Sequence, residues 1–409
     1  MTRRYGIVGL GHRAQLYVDA LAGDWSDTGT IVALCDTNRT RMAYYNTGLR
    51  LYDPAEFPDM LSTIDALIVT TVDATHAGYV CAALEAGVDV IVEKPLTTDE
   101  EGCARIAAAA ARSSARLIVT FNYRYSPRNS AVREVLASGR IGQVTAVHFE
   151  WLLDTIHGAD YFRRWHRERE NSGGLLVHKS THHFDLVNWW LGSSPAMVFA
   201  QAGLRFYGPD GAGVGGGPFG LDLNVDPRLK ALYLDAQHED GYIRNQDVFG
   251  DGINIDDTMS VLVRYANQAV LTYSLTAYAP REGYRVAFTG TRGRLELEVS
   301  ERAWCSTEAA IDPTAGKSEE ETYERLTVQE HWKPVEEIVI KQGSGGHGGG
   351  DALLLDDVFR GPGDDPLVRQ AGWRDGIRSV LTGVAADRSA RSGQPVQFLA
   401  DGLALKPAP

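Results

Sequence analysis

The sequence predicts a doubly wound parallel α/β sheet, followed by an α+β domain with a large, open, mainly antiparallel sheet. Three observations predict it. The 409-residue length exceeds what one core usually organises. Short, almost wholly apolar runs alternate with helical segments as far as Thr120, the mark of strands buried on both faces. From Gly142 onward the pattern changes to period-two alternation closed by tight turns. The change divides the chain into a domain over 1–125 and a second over 126–409.

In the first domain, strands are expected at Ile7–Val8, Ile31–Cys35, Ala66–Thr71, Val88–Val92 and Leu117–Thr120. Helical patterns follow through Leu16, Ala20 and Leu21, then over Thr75–Ala86 and the alanine-rich Thr98–Ser113. In a doubly wound sheet the ligand crevice lies at the carboxyl ends of the strands. Asp36, Thr71–Asp73, Glu93–Pro95 and Phe121–Arg124 all follow strands, so residues far apart in sequence share that edge.

In the second domain, Val144–Leu152 alternates as a strand, and a basic, aromatic stretch runs from Tyr161 to Arg167. A glycine-led segment leads from Gly173 to Asp185, and Leu186–Leu191 continues as an amphipathic helix. Residues 208–254, rich in Gly, Asp and Asn, read as a long loop or insertion. Thr258–Tyr265, Ala269–Tyr278, Tyr284–Thr289 and Arg294–Val299 are expected strands, with turns at Ala266-Asn267 and Thr291–Gly293. Asp312–Glu321 reads as a surface loop, and Asp351–Phe359 and Arg374–Arg388 as helices. An open sheet has to cover its outer face, which fits pairing of subunits through sheet faces.

Composition narrows the partners. A net charge of -13 repels phosphate backbones and anionic lipid, so neither nucleic acid nor a membrane is an expected partner. No apolar run is long enough to cross a bilayer. Arg3-Arg4 is followed by too short an apolar stretch for a twin-arginine signal and reads as the start of a strand. Cys35, Cys81, Cys103 and Cys305 are scattered, as expected of reduced thiols in a cytoplasmic protein.

The first loop carries G-x-G-x-x-A as Gly9, Gly11 and Ala14. Gly9 suits the tight turn, Gly11 lets the backbone approach a pyrophosphate, and Ala14 permits close helix–strand packing. His12 and Arg13 open the helix whose positive end would meet the phosphates. The motif follows a strand, opens a helix and is followed by Asp36 at the end of the next strand, which makes a dinucleotide site the favoured reading. Asp36 suits the ribose hydroxyls of NAD and repels the 2′-phosphate of NADP, although Arg39 and Arg41 lie close by. Asp36 also suits an N-cap for the following helix. Thr71, His76, Glu93, Lys94 and Asn122, at later strand ends, complete the expected cofactor contacts.

Gly9-Leu10-Gly11, Glu93-Lys94-Pro95 after a strand, and the glycine-led segment reaching His182 and Asp185 occur in the order found in one family. The chain resembles the Gfo/Idh/MocA group, which includes glucose-fructose oxidoreductase and inositol dehydrogenase. The resemblance spans most of the chain. It implies a Rossmann domain, an α/β domain with an open sheet, and hydride transfer between a nicotinamide and a sugar or polyol hydroxyl. It also implies a dimer or tetramer. It assigns Lys94 to substrate binding beside the nicotinamide, and His182 and Asp185 to the catalytic segment. This chain departs from the family pattern where His178 replaces an aspartate and Ser180 a glycine, with Lys179 as an added cation.

The chemistry suits these residue types. A histidine with an ordinary pKa of about 6.5 accepts a proton near neutrality. His182 is the leading general base with Lys94 polarising the hydroxyl, or the roles are reversed. Asp185, three residues on, either binds a substrate hydroxyl, orients the histidine or serves helix-terminal bonding alone. His178 and Lys179 are expected to contact substrate. Arg163, Arg164, Trp165 and His166 suit a sugar subsite, against the alternative of a solvated basic segment, and Arg124 is also expected to contact substrate. His183 is expected to pack, and Trp189 and Trp190 to lie in the core. The His178/His182 spacing would suit a metal on a helix, but Lys179 opposes it and no metal is expected. His347 stands in a glycine-rich stretch expected to be a mobile loop before a helix capped by Asp351, where His347 either reaches the substrate or belongs to a flexible linker. The function expected is NAD-dependent oxidation of a sugar, glycoside or polyol. The alternatives are a redox-assisted glycoside-cleaving enzyme with tightly held NAD, and a non-catalytic nucleotide sensor.

Overall fold

The computed structural model describes residues 2–45, 48–212, 219–305, 322–341 and 346–407. It divides into two compact units. The first comprises Met1–Phe121 with Leu221–Asn245 and Leu353–Ile377; the second comprises Asn122–Gly220, Gln246–Ala352 and Arg378–Pro409.

The first unit is built on six parallel strands: β1 (Arg3–Val8), β2 (Gly29–Cys35), β3 (Arg50–Tyr52), β4 (Ala66–Val69), β5 (Asp89–Val92) and β6 (Leu117–Val119). Their order is β3-β2-β1-β4-β5-β6, so the topology reverses at β1/β4, where doubly wound sheets bind ligands. Ile7, Leu34, Ile68 and Val69 are fully buried, which explains why these strands read as apolar runs rather than as alternation. Arg3 and Arg4 do begin a strand, and β1 pairs with both β2 and β4. The strand β3 has no apolar signature: Arg50 and Leu51 are exposed and only Tyr52 is buried.

Among the described residues the second unit holds nine strands: β7 (Val144–Asp154), β8 (Pro195–Gly203), β9 (Thr258–Tyr265), β10 (Val270–Ala279), β11 (Glu282–Gly290), β12 (Gly293–Arg302), β13 (Tyr323–Glu330), β14 (Glu336–Ile338) and β15 (Val396–Gln397). The order is β14-β13-β12-β11-β7-β10-β9-β8-β15. Every pairing is antiparallel except β7 with β10. Residues alternate along each long strand between a buried face carrying Phe149, Trp151, Tyr273 and Tyr284 and a polar face carrying His148, Glu150, Arg285 and Glu296.

Several expectations need correction. The contiguous division at 125 differs from the observed one, because Leu221–Asn245 and Leu353–Ile377 join the first unit. Periodicity finds elements, whereas those segments attach through individual bonds such as Val119 N–H to Ala371 O (2.9 Å). Part of the expected 208–254 loop is ordered as short helical turns at Leu223–Val225, Pro227–Leu229, Lys230–Leu234 and Gln237–Asp240. The helix Ser180–Leu191 is not amphipathic: every residue from Ser180 to Trp190 is buried. On one side His183 and Ser180 meet Tyr273 of the sheet, and on the other Trp190 donates to the Asn129 carbonyl of the helix Pro127–Ala137. Asp351 does not cap its helix, which begins at Gly346. The Asp312–Glu321 loop and the His347 side chain lie outside the described residues.

Candidate functional site

In the first unit, the glycine loop is held by its own neighbours. Gly9 adopts a φ of 85°, and a Cβ there would lie 2.6 Å from the Thr71 backbone nitrogen, so only glycine fits. Its N–H bonds the Cys35 carbonyl at 2.9 Å. The buried Asp36 carboxylate accepts the Leu10 N–H (2.5 Å) and the Asn38 N–H (2.8 Å), tying the loop to the end of β2. Burial raises the Asp36 carboxyl above its ordinary value, opposed by those two N–H groups and by Arg41. Asp36 is not the helix cap. Asn38 is, its Oδ1 taking the Arg41 N–H at 3.0 Å. The His12 N–H, at the helix start, is directed to the Tyr233 hydroxyl at 2.9 Å.

Lys94 follows β5, is half-buried, and precedes a cis peptide to Pro95. Flanking side chains hold this turn. The Glu93 carboxylate accepts from Arg13 Nε (2.7 Å) and the Tyr17 hydroxyl (2.6 Å). His76 faces the Pro95 carbonyl through Nδ1 (2.8 Å) and the Thr71 carbonyl through Nε2 (3.2 Å). Burial lowers the His76 pKa, outweighing those two carbonyls, so the ring is neutral at neutral pH.

In the second unit, the helix Ser180–Leu191 presents His182 and Asp185. Both Asp185 oxygens accept from Arg124, at 2.7 Å from Nε and 2.6 Å from Nη2, with the two side chains 1–2% exposed. His182 lies against Tyr123, ring centroids 4.5 Å apart. Lys179 Nζ reaches the Tyr123 hydroxyl at 3.3 Å and sits 5.1 Å from the Trp151 ring centre. Burial pushes the Tyr123 phenol well above its ordinary value, so it stays protonated. Tyr123 thus links Lys179 to His182. Asn122 instead donates to Asp351 Oδ1 at 2.7 Å.

A second group gathers beside His178. The Asp154 carboxylate accepts the Ile156 and His157 N–H groups, both at 2.9 Å, and starts the helix Thr155–Arg163. That helix places His157 and Tyr161 one turn apart. His157 Nδ1 meets Glu282 Oε1 at 2.7 Å and Nε2 meets the Tyr161 hydroxyl at 3.0 Å. The Tyr161 ring lies 5.5 Å from His178, which meets His166 edge-to-face at 4.2 Å. His166 stacks on Trp165 at 3.6 Å. Arg164, just past the end of the helix Thr155–Arg163, pairs with Asp160 within it (2.9 Å).

The residues expected from the sequence therefore form three sets: the glycine loop with Asp36 and the Lys94 turn; Arg124, Lys179, His182 and Asp185 around Tyr123; and Trp165 with His178. His183 packs flat on Trp151 at 4.0 Å, and Trp189 and Trp190 are buried, as expected. Among the described residues no group of three or more His, Cys, Asp or Glu side chains is arranged to hold a metal ion. Tyr123, His157, Tyr161 and Glu282 escaped the sequence reading as site residues, whereas His166 was expected at a sugar subsite. The i,i+4 spacing of His157 and Tyr161 was a usable signal; nothing local connects them to Glu282.

Two family models match the chain. Residues 3–121 match an oxidoreductase family's NAD-binding Rossmann fold, and residues 133–398 match its C-terminal alpha/beta domain. The chain is 36% identical over 423 residues to the putative oxidoreductase YteT of Bacillus subtilis, covering 95% of this chain and 96% of that protein. It is 29% identical over 208 residues to an inositol 2-dehydrogenase of Rhizobium meliloti, covering 50% of this chain and 59% of that protein. Its fold is similar to that of the WlbA dehydrogenase of Bordetella pertussis, solved with NADH and UDP-GlcNAcA, at a TM-score of 0.67 and 20% identity over 97% of this chain and 98% of that one. The chain belongs to the Gfo/Idh/MocA family of oxidoreductases.

Proposed function

We propose that the protein is an NAD-dependent oxidoreductase transferring a hydride between the nicotinamide and a secondary hydroxyl of a sugar, glycoside or polyol. The observation that carries this reading is the glycine loop locked to a buried carboxylate, Leu10 N–H to Asp36 Oδ2, at the switch point of the parallel sheet. The residues fit a dinucleotide: Gly11 leaves room for a pyrophosphate, and Asp36 offers a carboxylate for a ribose. Gly9, Gly11, His12, Arg13, Thr71 and Asn122 are the further cofactor contacts proposed, with His76 and Glu93 holding the turn that carries Lys94. Similarity to an inositol 2-dehydrogenase, and fold likeness to a dehydrogenase solved with NADH and a nucleotide sugar, support NAD and a polyol or sugar substrate.

The bound nicotinamide supplies the hydride acceptor. Lys94 polarises the substrate hydroxyl and His182 takes its proton, or the two exchange roles. Asp185 and Arg124, locked together as an ion pair beside His182, are assigned to the same substrate end of the site. Lys179, His178, Trp165 and Arg164 bind the rest of the sugar, and the working form is a homodimer or homotetramer.

A redox-assisted glycoside-cleaving enzyme is the second reading. Elimination requires one group to remove a carbon-bound proton beside the transient ketone and another to protonate the leaving oxygen. The Glu282–His157–Tyr161 chain offers such a second proton-handling group. The test is absorbance at 340 nm with purified protein, NAD or NADP, and a panel of inositols, sugars and glycosides, with aglycone release read in the same wells. A rise with NAD and one substrate class supports the dehydrogenase. Aglycone release without a rise supports the second reading. Silence in both, from a protein that binds NAD, contradicts both.

A further inference from the structure

We infer that Leu221–Asn245, which belongs to the first unit although it lies about a hundred residues beyond the sheet, is part of the dinucleotide site and enforces NAD by taking Arg41 out of use. This rests on the dinucleotide reading above. Two arginines follow Asp36 at the end of β2, where an arginine commonly receives the 2′-phosphate of NADP. By sequence alone they blur the choice of cofactor.

The segment removes the ambiguity. Arg41 is buried, and its Nη1 lies 2.6 Å from Asp240 Oδ2 and 3.9 Å from Asp36 Oδ1. Its Nε donates to the Leu232 carbonyl at 3.0 Å. Nε and Nη1 are thus engaged by one carbonyl and two carboxylates, while Nη2 is buried and makes no hydrogen bond among the described residues. Glu239 adds a third carboxylate, accepting the Arg39 N–H (2.5 Å) and the Thr40 N–H and hydroxyl (3.1 and 2.5 Å). The Arg39 side chain turns to Asp53 at 2.8 Å. A 2′-phosphate brought to the end of β2 would meet the carboxylates of Asp36, Glu239 and Asp240, with Arg41 held in the buried pair with Asp240 and Arg39 directed to Asp53, and a ribose hydroxyl meets no such repulsion.

The same segment reaches the phosphate end of the loop. Tyr233 accepts the His12 N–H at 2.9 Å, and Asn38 Nδ2 donates to the Ala236 carbonyl at 2.9 Å. The contacts therefore run from the ribose corner to the helix start, over the length of loop a dinucleotide occupies. Surface decoration would not place Asp240 on a buried arginine beside Asp36 and Glu239 on the backbone that follows it.

The test is equilibrium binding of NAD and NADP, by tryptophan fluorescence or calorimetry, to wild type, Asp240→Asn, Asp240→Ala and Arg41→Ala/Asp240→Ala, each checked for folding by its melting curve. Wild type is expected to prefer NAD. Neutralising Asp240 is expected to narrow the preference about tenfold, mainly through tighter NADP, with NAD affinity changed less than about threefold. The double variant is expected to lose that gain, because it depends on the released Arg41. An unchanged NADP/NAD ratio in both folded single variants, or a gain that survives loss of Arg41, overturns the inference. Folded wild type binding neither nucleotide overturns the dinucleotide reading, and this inference with it.

Discussion

Arg124 and Asp185 form a two-armed ion pair, Nε to Oδ2 at 2.7 Å and Nη2 to Oδ1 at 2.6 Å, with both side chains almost wholly removed from solvent. Breaking one side of such a pair leaves a buried charge without its counter-charge. Asp185→Ala is expected to cost roughly 3–5 kcal/mol of stability, read by urea unfolding of the second unit's transition. Replacing both residues, as Arg124→Met/Asp185→Leu, should recover most of it. Loss of activity with wild-type stability in Asp185→Ala would instead assign the carboxylate a purely chemical role.

Gly9 and Gly11 are expected to fail differently. A Cβ on Gly9 meets the Thr71 backbone at a positive φ, whereas one on Gly11 finds the Tyr233 hydroxyl at 3.5 Å, an ordinary contact. Gly9→Ala should lower the melting temperature and NAD binding together. Gly11→Ala should melt as wild type yet lose NAD affinity, because the methyl group fills the space for the pyrophosphate. Normal NAD binding by a folded Gly11→Ala protein contradicts the assignment of this loop.

His76 predicts a pH dependence. Its folded pKa lies below its ordinary value of about 6.5 because the ring is buried. The unfolded chain therefore takes up the proton first. This contribution to stability is complete above pH of about 6.5 and is lost as pH falls from there toward the folded pKa. Melting temperatures between pH 7.5 and 5.5 should fall more steeply for wild type than for His76→Gln. Parallel curves would mean that this ring does not carry the effect.

The Glu282–His157–Tyr161 chain should act as a unit. If it handles a proton, Tyr161→Phe lowers kcat roughly 10²-fold with little change in KM, and Tyr161→Phe/His157→Ala loses no more than either single change. The pH profile of kcat should lose one limb in both. Additive losses, or an unchanged profile, would reduce the chain to a packing role.

The parallel sheet was legible because its strands are buried on both faces and read as apolar runs, and the glycine loop because strand, motif and Asp36 came in order. The strand β3 was not, since two of its three residues face solvent, and β13 begins with the exposed Tyr323, Glu324 and Arg325. Lys94, His182 and Asp185 came from motif resemblance, while Tyr123 against His182 and Arg124 against Asp185 owe their positions to packing. The attachment of Asp240 to Arg41 spans nearly two hundred residues through single side-chain bonds, which leave no periodicity to read.

The most direct measurement of the central claim compares wild type with Lys94→Ala, reading NAD affinity by fluorescence and NAD reduction at 340 nm with the substrate found in the panel. Unchanged NAD binding and a rate lowered on the order of 10³-fold or more are expected of the variant. A Lys94→Ala protein that reduces NAD at the wild-type rate would contradict that claim.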